Sequence, residues 1–242
     1  MALTALLDGT VLAEKTGNDP KVLALHGWAR TRADWLPVLE GRAALAVDLP
    51  GFGASPPPPV GWGSRDYAEL LAPLLADGGW TVAGHSLGGR IAVHLAAGWP
   101  ALVSGVVLTG APLLRRTAGA SKPPWAFRVA KKAHRLGLLS DARMEEQRRK
   151  RGSEDYRKAE GVMRDTLVRL VNEDYRDLLP GIDAPVELVW GASDTAAPLA
   201  MAREAQGLLR TATLTVSETS GHLLDDGLVA LLRASPLLRP RT

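Results

Sequence analysis

The segment Thr81–Arg90 constrains the fold of this chain more than any other stretch. It reads Thr-Val-Ala-Gly-His-Ser-Leu-Gly-Gly-Arg, which places Ser86 at the centre of a Gly-x-Ser-x-Gly motif. A short apolar run precedes Ser86 and helical spacing follows it, so we predict a strand, a sharp turn and a helix. Gly84 and Gly88 leave room for such a turn, which lifts the serine hydroxyl clear of a sheet. The motif favours a nucleophilic serine; a glycine-rich loop with an ordinary exposed serine is the alternative.

Apolar runs of strand length alternate with helical segments along most of the chain. An Asp-Gly turn predicts an initial hairpin, and from residue 21 onward strands and helices follow one another. This order predicts an α/β fold: a mostly parallel sheet of eight strands with helices on both faces. The predicted strands are Leu3–Leu7, Thr10–Glu14, Lys21–Leu25, Ala43–Val47, Thr81–Ala83, Val103–Thr109, Val186–Trp190 and Thr213–Val216. Helices are predicted at Ser64–Ala76, with Ser64 as N-cap, at Leu199–Leu209 and at Leu223–Leu232.

One stretch, residues 112–184, breaks this alternation, because it contains helical spacing without a strand pattern. Its predicted helices are Trp125–Leu136, Asp141–Lys150, Glu154–Val171 and Glu173–Leu179. We therefore predict an α/β core made of residues 1–111 and 185–242, and a helical cap, or lid, made of residues 112–184. The cap carries 17 basic and 11 acidic side chains, a net charge of +6, whereas the whole chain carries +3. This excess indicates either an anionic partner or a solvated, charge-mixed surface.

The composition argues against several classes of protein. With 46% hydrophobic and 23% charged residues, the 242-residue chain can bury a substantial core. It has no cysteine, which excludes disulfides and thiolate metal sites, and no histidine pair has metal-ligand spacing supported by carboxylates. We expect no metal or other cofactor. We also expect a cytoplasmic protein with no membrane segment and no nucleic-acid partner; the oligomeric state stays open.

The candidate partners of Ser86 follow two later strands. A serine hydroxyl needs a base to remove its proton, and the base needs a carboxylate that fixes its tautomer. We predict Ser86 as the nucleophile, His222 as the general base and Asp194 as the residue that orients His222. Asp48 also follows a strand and is the main rival of Asp194, although its Pro-Gly context is typical of a structural turn.

Two backbone N–H groups are predicted to form an oxyanion hole. Leu87 is the first residue of the helix predicted after Ser86, and the N–H groups at a helix start have no partner within the helix. The second donor is expected from the loop after the third strand, which places the N–H of Trp28 there. The other histidines have structural interpretations: His26 shapes this loop, His85 packs or hydrogen-bonds locally, His94 lies on a helix face and His134 is solvated.

The motifs taken together resemble the α/β-hydrolase fold superfamily in type, order and spacing. They are His26-Gly27-Trp28, Asp48-Leu49-Pro50-Gly51-Phe52-Gly53, Gly84-His85-Ser86-Leu87-Gly88-Gly89, Trp190-Gly191-x-x-Asp194-x-x-x-Pro198 and Gly221-His222. Within the superfamily, the compact size and the helical cap resemble carboxylesterases of the pimeloyl-[acyl carrier protein] methyl ester esterase type. Ring-cleavage-product hydrolases are similar as well.

This resemblance implies a serine hydrolase that cleaves a carboxylic ester or a thioester through an acyl-Ser86 intermediate. Its substrate would be a small molecule, and the basic cap suits an anionic or carrier-bound one. Two alternatives stay open: a C–C bond hydrolase or lyase with the same triad, and a non-catalytic binding member of the fold. Members of the last kind usually lose the serine or the histidine, and both are present here.

Overall fold

A single eight-stranded sheet forms the centre of the protein, in a computed structural model that describes residues 3–115 and 154–239. The strands are β1 Leu3–Leu6, β2 Val11–Thr16, β3 Val22–Leu25, β4 Ala44–Asp48, β5 Trp80–His85, β6 Val103–Thr109, β7 Val186–Gly191 and β8 Ala212–Ser217. Their order across the sheet is β1-β2-β4-β3-β5-β6-β7-β8. The pairs β1–β2 and β2–β4 are antiparallel and all other pairs are parallel, which confirms the predicted fold class.

Helices cover both faces of this sheet. The described helices are α1 Leu36–Leu39, α2 Ser64–Leu71, α3 Leu87–Gly98, α4 Glu154–Lys158, α5 Gly161–Leu170, α6 Leu199–Leu208 and α7 Asp226–Ala234. Helices α2, α3 and α6 pack on one face, and α1 and α7 pack on the other. Alternate residues of each central strand enter the two cores, as in β3, where Leu23 and Leu25 face α3 while Val22 and Ala24 face α1. Among these described helices, none is long and apolar enough to cross a bilayer.

Helix α5 belongs to the predicted cap and lies against loops at the carboxyl ends of the strands. The side chain of Met163 contacts the loop after β4, because a β-carbon on Gly51 would fall on it. The N–H of Trp62 donates to Thr166 Oγ1 at 3.0 Å. Arg90 on α3 donates to the carbonyl of Leu170 at 2.8 Å. These contacts tie the described part of residues 112–184 to the edge of the sheet where functional residues are expected.

Two of the four predicted cap helices lie outside the described residues, namely Trp125–Leu136 and Asp141–Lys150. The predicted helix Glu154–Val171 is instead two helices, α4 and α5, with Gly161 at a φ of 49° where the second begins. The predicted helix Glu173–Leu179 is wrong: the segment turns, and only Leu179–Gly181 forms a short 3-10 helix. The turn is held from outside, since Glu173 accepts a hydrogen bond from Ser64 Oγ at 2.7 Å.

Two further predicted helices differ at their ends. Helix α2 begins at Ser64, but Gly63 is the N-cap residue, and its N–H donates to the Asp66 carboxylate at 2.7 Å. Residues beyond Leu71 continue as a 3-10 turn through Leu75. Helix α7 begins later than predicted, at Asp226, because the Asp225 side chain accepts a hydrogen bond from the N–H of Leu228 and caps the helix there.

Candidate active site

Ser86 lies on the sharp turn between β5 and α3, as the motif predicts. Its backbone has φ 51° and ψ −108°, a region that favours glycine. The turn is fixed by the N–H of Ser86, which donates to the carbonyl of Thr109 at 3.0 Å. A β-carbon on Gly84 would lie 2.5 Å from the backbone nitrogen of Gly89, so only glycine permits this approach of helix to strand. The serine side chain is therefore presented at the carboxyl end of the sheet.

The start of α3 also touches the neighbouring strand β3. The N–H of Gly88 donates to the carbonyl of His26 at 3.1 Å. A β-carbon on Gly88 would lie 2.5 Å from the carbonyl carbon of Leu25. Both glycines of the motif are thus required by close backbone packing, and this packing brings the loop after β3 next to Ser86.

Asp194 and His222 form a hydrogen-bonded pair on the loops after β7 and β8. Asp194 Oδ2 lies 2.9 Å from His222 Nδ1, and the carboxylate is fully buried while the imidazole keeps 25% of its surface exposed. The other carboxylate oxygen accepts the N–H groups of Ala196 at 2.9 Å and Ala197 at 2.8 Å. Since the carboxylate accepts, His222 Nδ1 carries the proton, and its Nε2 is left with the lone pair that a general base needs.

The two loops that carry this pair are locked together by backbone contacts. The N–H of Ser193 donates to the carbonyl of Ser220 at 3.1 Å. A β-carbon on Gly191 would lie 2.5 Å from the same carbonyl oxygen. Gly110, after β6, packs against the pair, because a β-carbon there would lie 3.1 Å from His222 Nδ1. The separation of Asp194 and His222 is therefore set by the ends of three adjacent strands.

His85 connects the turn at Ser86 to the loop that carries His222. Its Nε2 lies 2.9 Å from the carbonyl oxygen of His222, and the two imidazole rings are 5.0 Å apart between centroids. Burial, and then the neighbouring His222, lower the pKa of His85 to about 4. Our sequence interpretation gave His85 a local role only, whereas the structure shows a contact between residues 137 positions apart.

The loop after β3 lies against Ser86 and carries the predicted oxyanion donor Trp28. A β-carbon on Gly27 would lie 3.3 Å from Ser86 Cβ. The Trp28 ring packs edge-to-face on Phe52 at 4.9 Å between centroids. Within residues 3–115 and 154–239, no hydrogen-bond acceptor meets the N–H of Trp28 or that of Leu87. Both amides are thus available to an oxyanion.

His26 has the structural role that was predicted for it. Its Nε2 accepts the N–H of Leu49 at 2.9 Å, and its Nδ1 lies 2.7 Å from the carbonyl of Gly27. A backbone N–H can only donate, so Nε2 is unprotonated and the proton resides on Nδ1. Burial lowers the pKa of His26 and keeps the ring neutral. The ring therefore joins the loops after β3 and β4.

Asp48, the rival of Asp194, makes its contacts elsewhere. It is fully buried and accepts hydrogen bonds from Arg32 Nη1 at 2.6 Å, from the N–H of Arg32 at 2.9 Å and from the N–H of Ala54 at 2.9 Å. These bonds fold the loop after β4. The carboxylate that contacts His222 is Asp194.

Two side chains without a predicted role, Ser220 and Asp225, support the base loop, which is the loop between β8 and α7 that carries His222. Ser220 Oγ is buried, donates to Asp225 Oδ1 at 2.7 Å and lies 2.6 Å from Ser217 Oγ. Asp225 caps α7 through the N–H of Leu228 and holds Ser220. A helix N-cap signal, Asp three residues before a buried Leu228, was available in the sequence.

The remaining histidines lie outside this arrangement. His94 is on α3, with its ring 5.5 Å from that of Tyr175, as expected for a helix-face residue. His134 lies outside the described residues. In the part of the chain that the structure describes, no three His, Asp or Glu side chains converge as a metal site requires.

Comparisons with known proteins add independent information. The model of the "Alpha/beta hydrolase family" matches residues 22–231. The pimeloyl-[acyl-carrier protein] methyl ester esterase of Nitrosomonas europaea is 30% identical over 243 residues, covering 86% of this chain and 91% of that protein. The 2-(acetamidomethylene)succinate hydrolase of Mesorhizobium japonicum is 36% identical over 105 residues, covering 40% of this chain and 38% of that protein. Esterase RhEst1 from Rhodococcus sp. ECU1013 has a similar structure, with a TM-score of 0.68 and 24% identity over 97% of this chain and 98% of that one.

The family match begins at β3 and ends within α7, so it includes the turn at Ser86 and both loops of the Asp194–His222 pair. It also agrees with the sheet order and with the helices on both faces. The predicted resemblance and the hydrolase class are confirmed. This chain belongs to the α/β-hydrolase family.

Proposed function

We propose that this protein is a serine hydrolase that cleaves a carboxylic ester or a thioester through an acyl-Ser86 intermediate. One observation carries the proposal: the imidazole of His222 is hydrogen-bonded to the buried Asp194 and packs on His85, the residue that precedes Ser86. The base and the nucleophile thus belong to one packed unit. Its parts match the roles that acyl transfer requires.

The reaction begins when Ser86 Oγ attacks the carbonyl carbon of the substrate. His222 Nε2 takes the hydroxyl proton, and the carboxylate of Asp194 stabilises the imidazolium that forms. The carbonyl oxygen becomes an oxyanion, which accepts hydrogen bonds from the N–H groups of Leu87 and Trp28. When the tetrahedral intermediate collapses, the alcohol or thiol leaves with the proton from His222.

Hydrolysis of the acyl-enzyme repeats these steps with water. His222 Nε2 removes a proton from the attacking water, a second tetrahedral oxyanion forms, and its collapse breaks the bond to Ser86 Oγ. The serine oxygen recovers its proton from the imidazolium. A free carboxylic acid is released, and the enzyme returns to its starting state.

The ester assignment draws support from a relative that matches most of the chain. The Nitrosomonas europaea protein, which is named as a methyl ester esterase, matches 86% of this chain, whereas the Mesorhizobium japonicum hydrolase matches 40%. We therefore place a small-molecule ester or thioester first, with a free or carrier-bound acyl group. Cleavage of another bond by the same triad is the second candidate.

We also infer that residues 112–184 act as a cap that selects the substrate. Helix α5 supports this, because it bears on the loop after β4 through Met163 and on α3 through Leu170. The net charge of +6 on residues 112–184 suits an acyl group that ends in a carboxylate or a phosphate-bearing carrier.

A fluorophosphonate probe read by mass spectrometry tests the proposed nucleophile. The expected result is an adduct on Ser86 in the wild-type protein, no adduct in Ser86→Ala, and much slower labelling in His222→Ala. The matched control is His94→Ala, which removes a histidine from α3 away from the pair and should label at the wild-type rate. A folded wild-type protein that gains no adduct, or gains it on another serine, contradicts the proposal.

A series of esters and thioesters then tests the substrate class. Acyl chains of increasing length, each with and without a terminal carboxylate, are compared by kcat/KM. Higher kcat/KM for the carboxylate-bearing members is expected if the basic cap recognises anions. Equal values for both sets would exclude that role of the cap while leaving the triad in place.

A further inference from the structure

His85 lies between three parts of the candidate active site. Its side chain is almost completely buried, with 1% of the residue exposed. On one side its Nε2 meets the carbonyl oxygen of His222 at 2.9 Å. On the other side its Nδ1 lies so near the loop after β3 that a β-carbon on Gly27 would be 2.8 Å away. The chain places it directly before Ser86.

The protonation of His85 follows from these contacts. A carbonyl oxygen can only accept, so His85 Nε2 carries a proton and donates a hydrogen bond to the carbonyl oxygen of His222. Nδ1 is then unprotonated, and within the described residues no donor reaches it. A second proton would make the buried His85 ring positively charged. The His222 ring lies 5.0 Å away between centroids, and two positive rings at that distance would repel each other when His222 is an imidazolium. His85 is therefore a neutral donor.

We propose that His85 is the positioning residue for His222, which it holds at the distance from Ser86 that proton transfer requires. This inference rests on the proposed serine hydrolase function. Asp194 fixes the ring of His222 through Nδ1, and His85 fixes the backbone of His222 and packs on its ring. The two constraints act on different atoms of His222, one on the ring and one on the backbone.

The loop between β8 and α7, which carries His222, needs a contact that holds His222 in place. Ser220 in this loop is buried, but His222 keeps a quarter of its side chain exposed and the adjacent Leu223 is 53% exposed, so packing is thin at the His222 end. During each turnover His222 Nε2 must reach first the serine hydroxyl and then the leaving group. A displacement of about 1 Å in such a position can cost on the order of 100-fold in rate. Because His85 directly precedes Ser86, its hydrogen bond to His222 keeps the base and the nucleophile at a constant separation.

A neutral donor is also the suitable chemical choice. A lysine or arginine at position 85 could donate to the same carbonyl, but its positive charge would oppose the imidazolium that forms on His222. The imidazole of His85 donates without that charge. Gly27 permits the arrangement, because a larger residue there would push the ring away from its place.

Two variants separate the hydrogen bond from the volume of the side chain. His85→Gln keeps an N–H donor at a similar distance from the backbone, whereas His85→Leu keeps a similar volume without a donor. We expect kcat to fall by roughly 10- to 100-fold in His85→Leu with KM nearly unchanged, and to stay within about threefold of wild type in His85→Gln. His94→Leu, on α3, is the matched control and should retain wild-type kcat.

A spectroscopic readout makes the test independent of the substrate. The proton shared by His222 Nδ1 and Asp194 should give a downfield proton NMR resonance in the wild type. We expect it to be retained in His85→Gln and His94→Leu, and to be broadened or lost in His85→Leu, since the His222 ring is then less restrained. Thermal unfolding of each variant shows whether the fold is intact.

The outcomes distinguish the two proposals. If the wild type forms no fluorophosphonate adduct on Ser86, the proposed function fails, and the resonance alone decides the role of His85. Wild-type kcat and an unchanged resonance in a folded His85→Leu would overturn the inference. So would a folded His85→Gln as impaired as His85→Leu, because the donated hydrogen bond would then have no effect.

Discussion

A β-carbon on Gly88 would lie 2.5 Å from the carbonyl carbon of Leu25, so the first turn of α3 rests directly on the backbone of β3. Gly88→Ala must push these elements apart. We expect a loss of about 1–3 kcal/mol in the free energy of unfolding, measured by urea denaturation. Gly98, at the other end of α3, has open space around its Cα, and Gly98→Ala should gain about 0.5–1 kcal/mol. A neutral Gly88→Ala would show that the strand–turn–helix contact is looser than described.

Asp194→Asn tests the role of the buried carboxylate. The amide must place an NH₂ group either against the Nδ1 proton of His222 or against the N–H groups of Ala196 and Ala197. The second choice sets the amide against two backbone donors, so we expect the first, which turns Nδ1 into an acceptor and moves the proton to Nε2. We expect kcat to fall by about 10³–10⁴-fold with KM little changed, as for the analogous substitution in serine proteases.

The matched comparison for this prediction is Asp48→Asn. Asp48 is just as buried, but its partners are Arg32 and Ala54, so the change should lower stability rather than act on the base. Measuring kcat together with urea denaturation separates the two effects. If Asp48→Asn lowered kcat as much as Asp194→Asn does for the same loss of stability, the role of Asp194 would be contradicted.

Acid should destabilise the protein through its buried histidines. Burial lowers the pKa of His85 from 6.5 to about 4, so between these values the unfolded chain binds a proton that the folded chain does not. The free energy of unfolding therefore falls as the pH drops from 6.5 towards 4, by at most about 3 kcal/mol from His85. His26 contributes in the same direction.

Urea denaturation at a series of pH values measures this effect. In His85→Leu the fall in stability between pH 6.5 and 4 should be smaller than in wild type, whatever the stability at neutral pH. The fall should not vanish, because His26 keeps its lowered pKa. Parallel curves for the two proteins would show that His85 titrates normally in the folded state.

Glu173 caps α2 from a distant part of the chain. Its carboxylate accepts the N–H of Ser64 at 3.0 Å and the hydroxyl of Ser64 at 2.7 Å, and the hydroxyl of Tyr175 also donates to it. In Glu173→Gln an amide NH₂ would face one of these donors. We expect a loss of about 1–3 kcal/mol in the free energy of unfolding.

The control for this prediction is Glu69→Gln on the same helix. Among residues 3–115 and 154–239, the ion pair that Glu69 makes is an exposed one with Arg65, so its loss should change stability by less than about 1 kcal/mol. Equal effects of the two substitutions in thermal or urea denaturation would contradict the capping role of Glu173.

The sheet and the position of the nucleophile could be predicted because their signals are local. Strand β6 has the predicted bounds, Val103–Thr109, since its buried run Val106-Val107-Leu108 is typical of a central parallel strand. Ser86 could be placed on a turn because Gly84 and Gly88 are required by contacts within a few residues of it and with the adjacent strand. The chain order of Ser86, Asp194 and His222 also agrees with loops that meet at one edge of the sheet.

The remaining features depend on contacts between distant segments. The helix predicted at Glu173–Leu179 has suitable periodicity, but the bonds of Glu173 and Tyr175 to Ser64, 109 or more residues away, favour a turn instead. The hydrogen bond between His85 and the carbonyl of His222 also joins distant residues, so no local sequence pattern predicts it. Periodicity cannot report side-chain hydrogen bonds that form only after the sheet is assembled.

The backbone conformation of Ser86 lowers the stability of the fold at the position that the proposed reaction needs. Its φ of 51° and ψ of −108° cost a residue with a β-carbon about 1–3 kcal/mol that glycine avoids. A chain with glycine at 86 would thus be more stable than the active protein and unable to form an acyl intermediate, whereas alanine would keep the cost without the chemistry. Any selection for stability alone, in nature or in a library, would favour the inactive glycine chain. Under the proposed function, serine persists at this position only while catalysis is under selection.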